Sequence, residues 1–137
     1  MDVPWIKAKL DTGARSSALH AFDLHELDRD GEAWVRFSIH PWQRSGEDAV
    51  ALDCPVHDRR AVRSSSGHVE ERIVVLVDLE LVGRKVTAEM TLSRRDEMGF
   101  RMLVGRQALR QGFVVDSSRS YLGGRPALAV RRRNQGR

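Results

Sequence analysis

The chain has 137 residues, of which 41% are hydrophobic and 31% charged, a composition typical of one globular domain rather than a fibrous or disordered chain. It has no run approaching the ~20 apolar residues of a membrane-spanning helix, and no basic, then apolar start of the kind found in signal peptides. We therefore expect no membrane partner. The single cysteine, Cys54, excludes an internal disulfide and fits a cytoplasmic location.

The net charge of +4 comes from the end of the sequence. Four arginines lie among residues 131–137 with no acidic residue, and without them 19 basic side chains balance 19 acidic ones. Because the rest of the chain is neutral and its few aromatic residues are not interleaved with basic ones, we predict no specific nucleic-acid partner. We expect one domain over residues 1–130 and a basic, disordered tail over residues 131–137.

Alternation of apolar and polar residues predicts strands along most of the chain. Residues 16–27 fit either a strand or a helical face, whereas residues 40–53 predict a loop. A short helix is predicted where Gly112 ends an apolar-periodic segment. The alternating or short apolar segments are residues 5–10, 34–40, 73–81, 86–92, 102–104, 113–115 and 121–122, and the predicted helix is residues 106–111. We predict an all-β domain, closed or nearly closed into a barrel, with one short helix near its end.

The segment Asp11-Thr12-Gly13-Ala14 follows directly on the first predicted strand. A carboxylate at a strand end has a rigid support, Gly13 permits a tight turn, and the Thr12 hydroxyl is placed to hold that turn. An Asp-Thr-Gly sequence alone is more often a turn that merely ends a strand. Two later features favour catalysis: a flexible tip at residues 64–68 before a long strand, and an apolar segment entering Gly-Arg and a helix at residues 101–109.

This order of segments resembles that of retroviral-type aspartic proteases. More specifically, the chain resembles the bacterial RimB-like, retropepsin-like family, which is also labelled "ATP-dependent zinc protease". The matching segments are residues 8–21, 62–67, 71–72, 91–98 and 102–106, and the resemblance extends from about Trp5 to Leu122. Family members usually have a further strand before the point where this sequence begins, and in retroviral relatives the terminal strands build much of the dimer interface.

The resemblance implies a retropepsin-like barrel and an aspartic endopeptidase that works as a homodimer, with Asp11 as the catalytic residue of each chain. It implies active-site support from Thr12, Gly13 and Ala14. The label names ATP, but the sequence has no Gly-x-x-x-x-Gly-Lys loop, so we expect no cofactor. The resemblance also implies a link to ATP-grasp glutamate ligases, with poly-glutamate tails of proteins as the substrate. The implied flap and substrate-binding residues are Ser64, Ser65, Ser66, Gly67, Arg15 and Arg63.

A groove for acidic side chains could draw on eight arginines, namely Arg15, Arg59, Arg60, Arg63, Arg72, Arg94, Arg95 and Arg106. Of these, Arg15 lies beside the catalytic turn and Arg63 beside the tip, which makes them the better candidates. Arginine in a strand is otherwise usually a solvated residue or a local ion-pair partner.

Two alternatives stay open. The first is a zinc peptidase, but His20 and His25 are five residues apart and do not share a helical face, and Cys54-x-x-His57 is a weak metal pair. We therefore predict no metal ligands. The second alternative is a peptide-binding dimer of the same fold that does not cut.

The catalytic hypothesis requires a second chain. Neither Asp53 nor Asp116 is followed by Thr-Gly, so a second catalytic aspartate has to come from a second copy across a two-fold axis.

Overall fold

The computed structural model describes residues 3–41, 49–63, 66–93 and 100–133, with the backbone alone at residues 132 and 133. These ranges contain nine strands and two short helices. The strands are β1 (Ala8–Leu10), β2 (Ser17–His20), β3 (Phe22–Arg29), β4 (Glu32–Ile39), β5 (Val50–Pro55), β6 (Asp58–Arg63), β7 (Val69–Leu81), β8 (Arg84–Ser93) and β9 (Met102–Val104). The helices are α1 (Arg106–Leu109) and α2 (Leu128–Arg133), and none in the described part of the chain is long and apolar enough to span a bilayer.

The strands form two sheets. One has six strands in the order β1-β9-β2-β8-β7-β6, and the other has three in the order β3-β4-β5. The core lies between them, because buried residues of both sheets, such as Phe37 on β4 and Met90 on β8, belong to one apolar cluster. The predicted all-β fold is therefore confirmed.

Closure into a barrel is not observed. Pairing between the described residues leaves β1 and β6 at the edges of the larger sheet, and β3 and β5 at the edges of the smaller one. A barrel requires its first and last strands to pair, and β6, whose side chains are nearly all exposed, pairs only with β7 in the described residues. The expectation of a closed barrel is corrected to two packed, open sheets.

The longest predicted strands correspond to β7 and β8, which form an antiparallel hairpin. The ambiguous residues 16–27 form β2 and most of β3. The prediction of a loop over residues 40–53 was wrong from Val50 onward, because β5 pairs with β4 and buries Leu52; residues 42–48 lie outside the described ranges.

The first predicted strand is shorter than expected, since β1 pairs in parallel with the three residues of β9. The segment 113–115, predicted as a strand, pairs with no described strand: Phe113 and Val115 pack on the core while Val114 is 98% exposed.

The predicted helix forms as α1, and Gly112 follows it with φ +124, a conformation that favours glycine. The expectation of a single helix was wrong, because α2 forms as well. This second helix includes residues 131–133, the first three of the predicted tail; residues 134–137 lie outside the described ranges.

Candidate active site

Asp11 begins a tight turn at the end of β1. Its N–H donates to the carbonyl of Val104 at 2.9 Å, so the turn starts where pairing with β9 ends. The N–H of Gly13 donates to Oδ1 of Asp11 at 2.9 Å, and the N–H of Ala14 donates to the Asp11 carbonyl at 3.3 Å. The half-buried Asp11 carboxylate is thereby held in one orientation on a rigid strand.

The space beside Gly13 is limited by the Asp11 carboxylate. A Cβ on Gly13 would lie 3.2 Å from Oδ1 of Asp11, so a side chain there would shift the carboxylate by a few tenths of an ångström. The neighbouring Thr12 is exposed. In the described part of the chain its carbonyl, not its hydroxyl, takes part in holding the turn, because it accepts a bond from Arg106 at 3.3 Å.

Helix α1 clamps this turn through its first residues. The N–H of Arg106 donates to the carbonyl of Ala14 at 2.8 Å, and the N–H of Gln107 donates to that of Arg15 at 3.0 Å. The first N–H groups of a helix have no partner within it, and no side chain caps α1. The Asp11 turn therefore supplies the cap that the helix lacks.

The Arg106 side chain adds a second clamp. Its Nη1 donates to the carbonyl of Gly13 at 3.0 Å as well as to that of Thr12. One guanidinium thus fixes two consecutive peptide groups directly after Asp11. The sequence placed Arg106 among the arginines for a substrate groove, but the structure gives it a positioning role.

Gly105 permits this close approach between α1 and the turn. A Cβ at Gly105 would lie 2.5 Å from the carbonyl oxygen of Ser16 and 2.9 Å from that of Ala14. Its own N–H donates to the buried hydroxyl of Ser17 at 3.0 Å. Sequence reasoning did not assign Gly105 or Ser17 a role, although the apolar-Gly-Arg-helix pattern at residues 101–109 was the sign of this contact.

The two other aspartates considered from the sequence are committed to structural contacts. Asp53 pairs with Arg36, Nε to Oδ1 at 2.8 Å, and with Arg29, and these arginines lower its pKa to about 2. Asp116 accepts bonds from the hydroxyl of Ser118 at 2.6 Å and from its N–H at 2.9 Å, which lower its pKa. Asp11 instead has the Gly13 N–H as the donor to its carboxylate among the described residues.

The predicted flap is the end of the β6–β7 hairpin. Arg63 is the last residue of β6 and lies opposite Val69, and Gly67 adopts φ +87 in the connection. Ser66 is part of this connection, whereas Ser64 and Ser65 lie outside the described ranges. The side chain of Arg63 makes no bond to the Asp11 turn in the described part of the chain, so the flap role stays a prediction.

The arginines proposed for a substrate groove differ in whether they form ion pairs with acidic side chains. Arg59, Arg60 and Arg72 pair with acidic side chains, and Arg94 and Arg95 lie outside the described ranges. Those pairs are Arg59 with Glu26 and Glu71, Arg60 with Glu89 and Asp58, and Arg72 with Glu70. Arg15 and Arg63 are exposed and form no ion pair with a described residue.

The Cys54-x-x-His57 pair does not have the character of a metal site. Cys54 is buried in β5, and burial raises the pKa of its thiol, which disfavours the thiolate that metals bind. Nε2 of His57 lies 3.2 Å from Oε1 of Glu89 instead. In the ranges that the structure describes, no three His, Cys, Asp or Glu side chains are grouped to hold a metal ion.

Comparison with curated proteins gives relatives named as ligases. A probable alpha-L-glutamate ligase of Shewanella halifaxensis (strain HAW-EB4) is 42% identical over 121 residues, which are 88% of this chain and 26% of that protein. One of Desulfotalea psychrophila (strain LSv54 / DSM 12343) is 41% identical over 116 residues, or 85% of this chain and 25% of that protein. The chain thus spans about a quarter of the length of these curated relatives.

Comparison with solved structures and family models identifies the fold. A crystal structure of a Legionella pneumophila protein of unknown function (DUF785) matches with a TM-score of 0.70 and 25% identity, covering 85% of this chain and 83% of that one. The family model described as "Retropepsin-like aspartic endopeptidase RimB" matches residues 2–126. The chain therefore belongs to the RimB-like family of retropepsin-like proteins.

Proposed function

We propose that this chain is an aspartic peptidase that acts as a homodimer, with Asp11 of each copy as a catalytic residue. The observation that carries the proposal is the Asp11 turn. Its carboxylate accepts the Gly13 N–H, the carbonyl of Gly13 is held by Arg106, and Asp11 takes no part in the ion pairs that engage Asp53. A carboxylate that is held in one orientation and forms no ion pair with a described residue is suited to act on a substrate.

Hydrolysis of a peptide without a metal or a covalent nucleophile uses two carboxyl groups. An ionised one takes a proton from the attacking water, and a protonated one donates to the carbonyl oxygen as the water oxygen adds to the carbon. The C–N bond then breaks and the amine leaves with a proton. Two close carboxyl groups divide these roles because both cannot easily ionise, so the pKa values belong to the pair.

The second carboxyl group would come from a second copy of the chain. Leu10, directly before Asp11, is 45% exposed although apolar, and Thr12 and Gly13 after it are exposed as well. A two-fold axis beside this turn would cover these residues and bring one Asp11 against the other.

For the substrate we propose glutamate-rich tails of proteins. The relatives that share this domain are named alpha-L-glutamate ligases, and the domain forms about a quarter of each. In such a protein, a hydrolase domain could remove the glutamates that the ligase domain adds. Arg15 and Arg63, which form no ion pair with a described residue, are placed beside the turn and on the hairpin that we predict to close over the peptide.

The test is cleavage of a peptide library that includes oligo-glutamate, by the wild type and by Asp11→Asn, with and without a chelator. Asp116→Asn is the matched control, since it changes an aspartate committed to a local turn. We expect cleavage by the wild type and Asp116→Asn, none by Asp11→Asn, and no effect of the chelator. Sedimentation at several concentrations should show a dimer.

Other outcomes separate the alternatives. Cleavage that survives Asp11→Asn, or stops with the chelator, would replace the aspartate mechanism with a metal-dependent one. Binding of peptides without cleavage would identify a binding dimer. Equal cleavage of oligo-glutamate and a neutral peptide at matched salt would reject the glutamate substrate alone.

A further inference from the structure

A concave pocket lies at the start of β1, at the opposite end of this strand from Asp11. Trp5 and Tyr121 line it, and they remain 42% and 46% exposed. Three cationic side chains, Lys7, Arg125 and Arg131, also line it, and no acidic side chain among the described residues does. Its cavity of about 70 Å³, open to solvent on one side, has room for a small polar group such as a carboxylate. We call it the basic pocket.

The three cations are held in place without being neutralised. The Arg125 guanidinium lies 4.3 Å from the centre of the Tyr121 ring, and Nζ of Lys7 lies 4.9 Å from that of Phe100. Nε of Arg131 donates to the carbonyl of Pro126 at 3.0 Å. Ring faces and carbonyls orient a cation but leave its charge available, and none of the three pairs with a described acidic residue. The pocket therefore attracts an anion.

The backbone around the pocket is shaped for this arrangement. Tyr121 adopts φ 57 and Gly124 φ 94, and the N–H of Gly124 donates to the Tyr121 carbonyl at 3.0 Å. A bulky residue in the left-handed region is uncommon, and such strain is concentrated at ligand-binding positions. The turn brings residues 121–126 against the segment that leads into β1.

We propose that the basic pocket binds carboxylate groups of a glutamate-rich segment, beyond the residues being cut. This assignment rests on the proposed function for its choice of ligand. From Lys7 to Asp11 the chain advances four residues, or about 13 Å if extended, so a glutamate tail of a few residues has the length to reach from one to the other. Lys9, exposed on β1 between them, adds a further positive charge along this strand.

The ion pairs on the rest of the described surface favour a carboxylate ligand over a nucleic acid. Phosphodiester chains bind to extended tracks of uncompensated cations. Outside the basic pocket, many of the described arginines are paired with acids, among them Arg29 and Arg36 with Asp53, and Arg59 with Glu26. A compact group of cations with aromatic walls suits a few carboxylates.

The experiment measures binding of hexaglutamate by calorimetry to the full chain carrying Asp11→Asn, which removes hydrolysis. Lys7→Gln and Arg125→Gln should each weaken binding about threefold, and together about tenfold, as for partly exposed ion pairs. Arg125→Lys should restore most of the affinity. Lys85→Gln, which removes an exposed lysine of β8 away from the pocket, is the matched control and should bind normally.

Three results would overturn the assignment. The first is that the double variant binds hexaglutamate as tightly as its parent. The second is that hexaglutamine binds as tightly as hexaglutamate. The third is that single-stranded DNA or inorganic phosphate displaces bound hexaglutamate at lower concentrations than free hexaglutamate does. In the cutting-competent chain, the double variant should raise KM with kcat unchanged, because the pocket contributes binding away from the reacting bond.

Failure of this inference can be told from failure of the proposed function. If the wild type cuts no glutamate peptide but the pocket variants still weaken binding, the pocket stands and the hydrolysis is rejected. If cutting depends on Asp11 while the pocket variants bind and cut like the wild type, only the pocket assignment is rejected.

Discussion

Replacing Gly105 with alanine tests whether the contact between α1 and the Asp11 turn positions the carboxylate. The backbone at Gly105, with φ −91 and ψ −179, is open to alanine, so the effect of the change is steric. The new Cβ would lie 2.5 Å from the carbonyl oxygen of Ser16 and 2.9 Å from that of Ala14. Both atoms belong to the backbone and cannot rotate away.

The expected size follows from these distances. The Ser16 carbonyl must retreat by roughly 1 Å to reach the 3.5 Å of an ordinary contact. Overpacking of this kind destabilises by about 1–3 kcal/mol, which lowers Tm by about 3–10 °C in a domain of this size. A displacement of about 1 Å in a catalytic group slows a reaction by up to about 100-fold, so hydrolysis should fall by about 10- to 100-fold.

The assay combines thermal unfolding, followed by circular dichroism, with peptide hydrolysis at a temperature where all variants are folded. Gly31→Ala is the control: Gly31 has φ +85 and open space around its Cβ position, so alanine there costs about 1–2 kcal/mol through its backbone alone. It should lower Tm comparably and leave hydrolysis unchanged. Wild-type melting and hydrolysis in Gly105→Ala would refute the steric argument.

Two further predictions concern Arg106 and Asp53. Arg106→Met should destabilise the chain by about 1 kcal/mol, since two carbonyls lose their donor, and it should lower kcat more than it changes KM. The control Arg119→Met, at an exposed site, should change neither stability nor kcat. Unchanged kcat for Arg106→Met would contradict a positioning role for Arg106. Asp53 has a pKa of about 2 in the folded chain, lowered mainly by Arg36 and less by Arg29, whereas the pKa of an unfolded aspartate is roughly 3.9. Its ion pairs therefore stabilise the folded state above about pH 4–5. This contribution is lost as pH falls toward 2. In urea unfolding, Asp53→Asn should therefore be less stable than the wild type at neutral pH and lose less stability between about pH 5 and 2; parallel losses in both proteins would contradict this.

The secondary structure of segments with a strong local pattern of apolar residues was predictable from the sequence. The β7–β8 hairpin is marked by alternating apolar residues on both sides of a turn. These residues are buried or partly buried in both strands, although Val74 of β7 is buried on the opposite face as well. Strand β9, Gly105 and α1 were likewise marked by an apolar segment, a glycine and a short periodic run. In these segments burial follows the local period, and tertiary contacts reinforce the propensity of the chain.

Segments whose stability comes from partners distant in sequence were missed or misjudged. Strand β6 carries almost no buried residue; it is held by pairing with β7 and by ion pairs such as Arg60 with Glu89, which give no apolar period. Strand β1 was predicted too long because its length is set by its parallel partner β9. Barrel closure likewise depends on which strand edges meet, and the apolar pattern of one strand does not specify that.

The sequence alone determined the β character of this protein and the position of Asp11 at a strand end followed by Gly13, because both depend on neighbours within a few residues. Tertiary structure alone decided what holds that aspartate. Arg106 lies more than 90 residues from the turn in the chain, and its bonds to the carbonyls of Thr12 and Gly13 exist only once β9 lies between β1 and β2. Tertiary packing also brings Trp5 and Lys7 together with Arg125 and Arg131 in the basic pocket. These residues are far apart in the sequence, so no local pattern of apolar residues predicts that they meet.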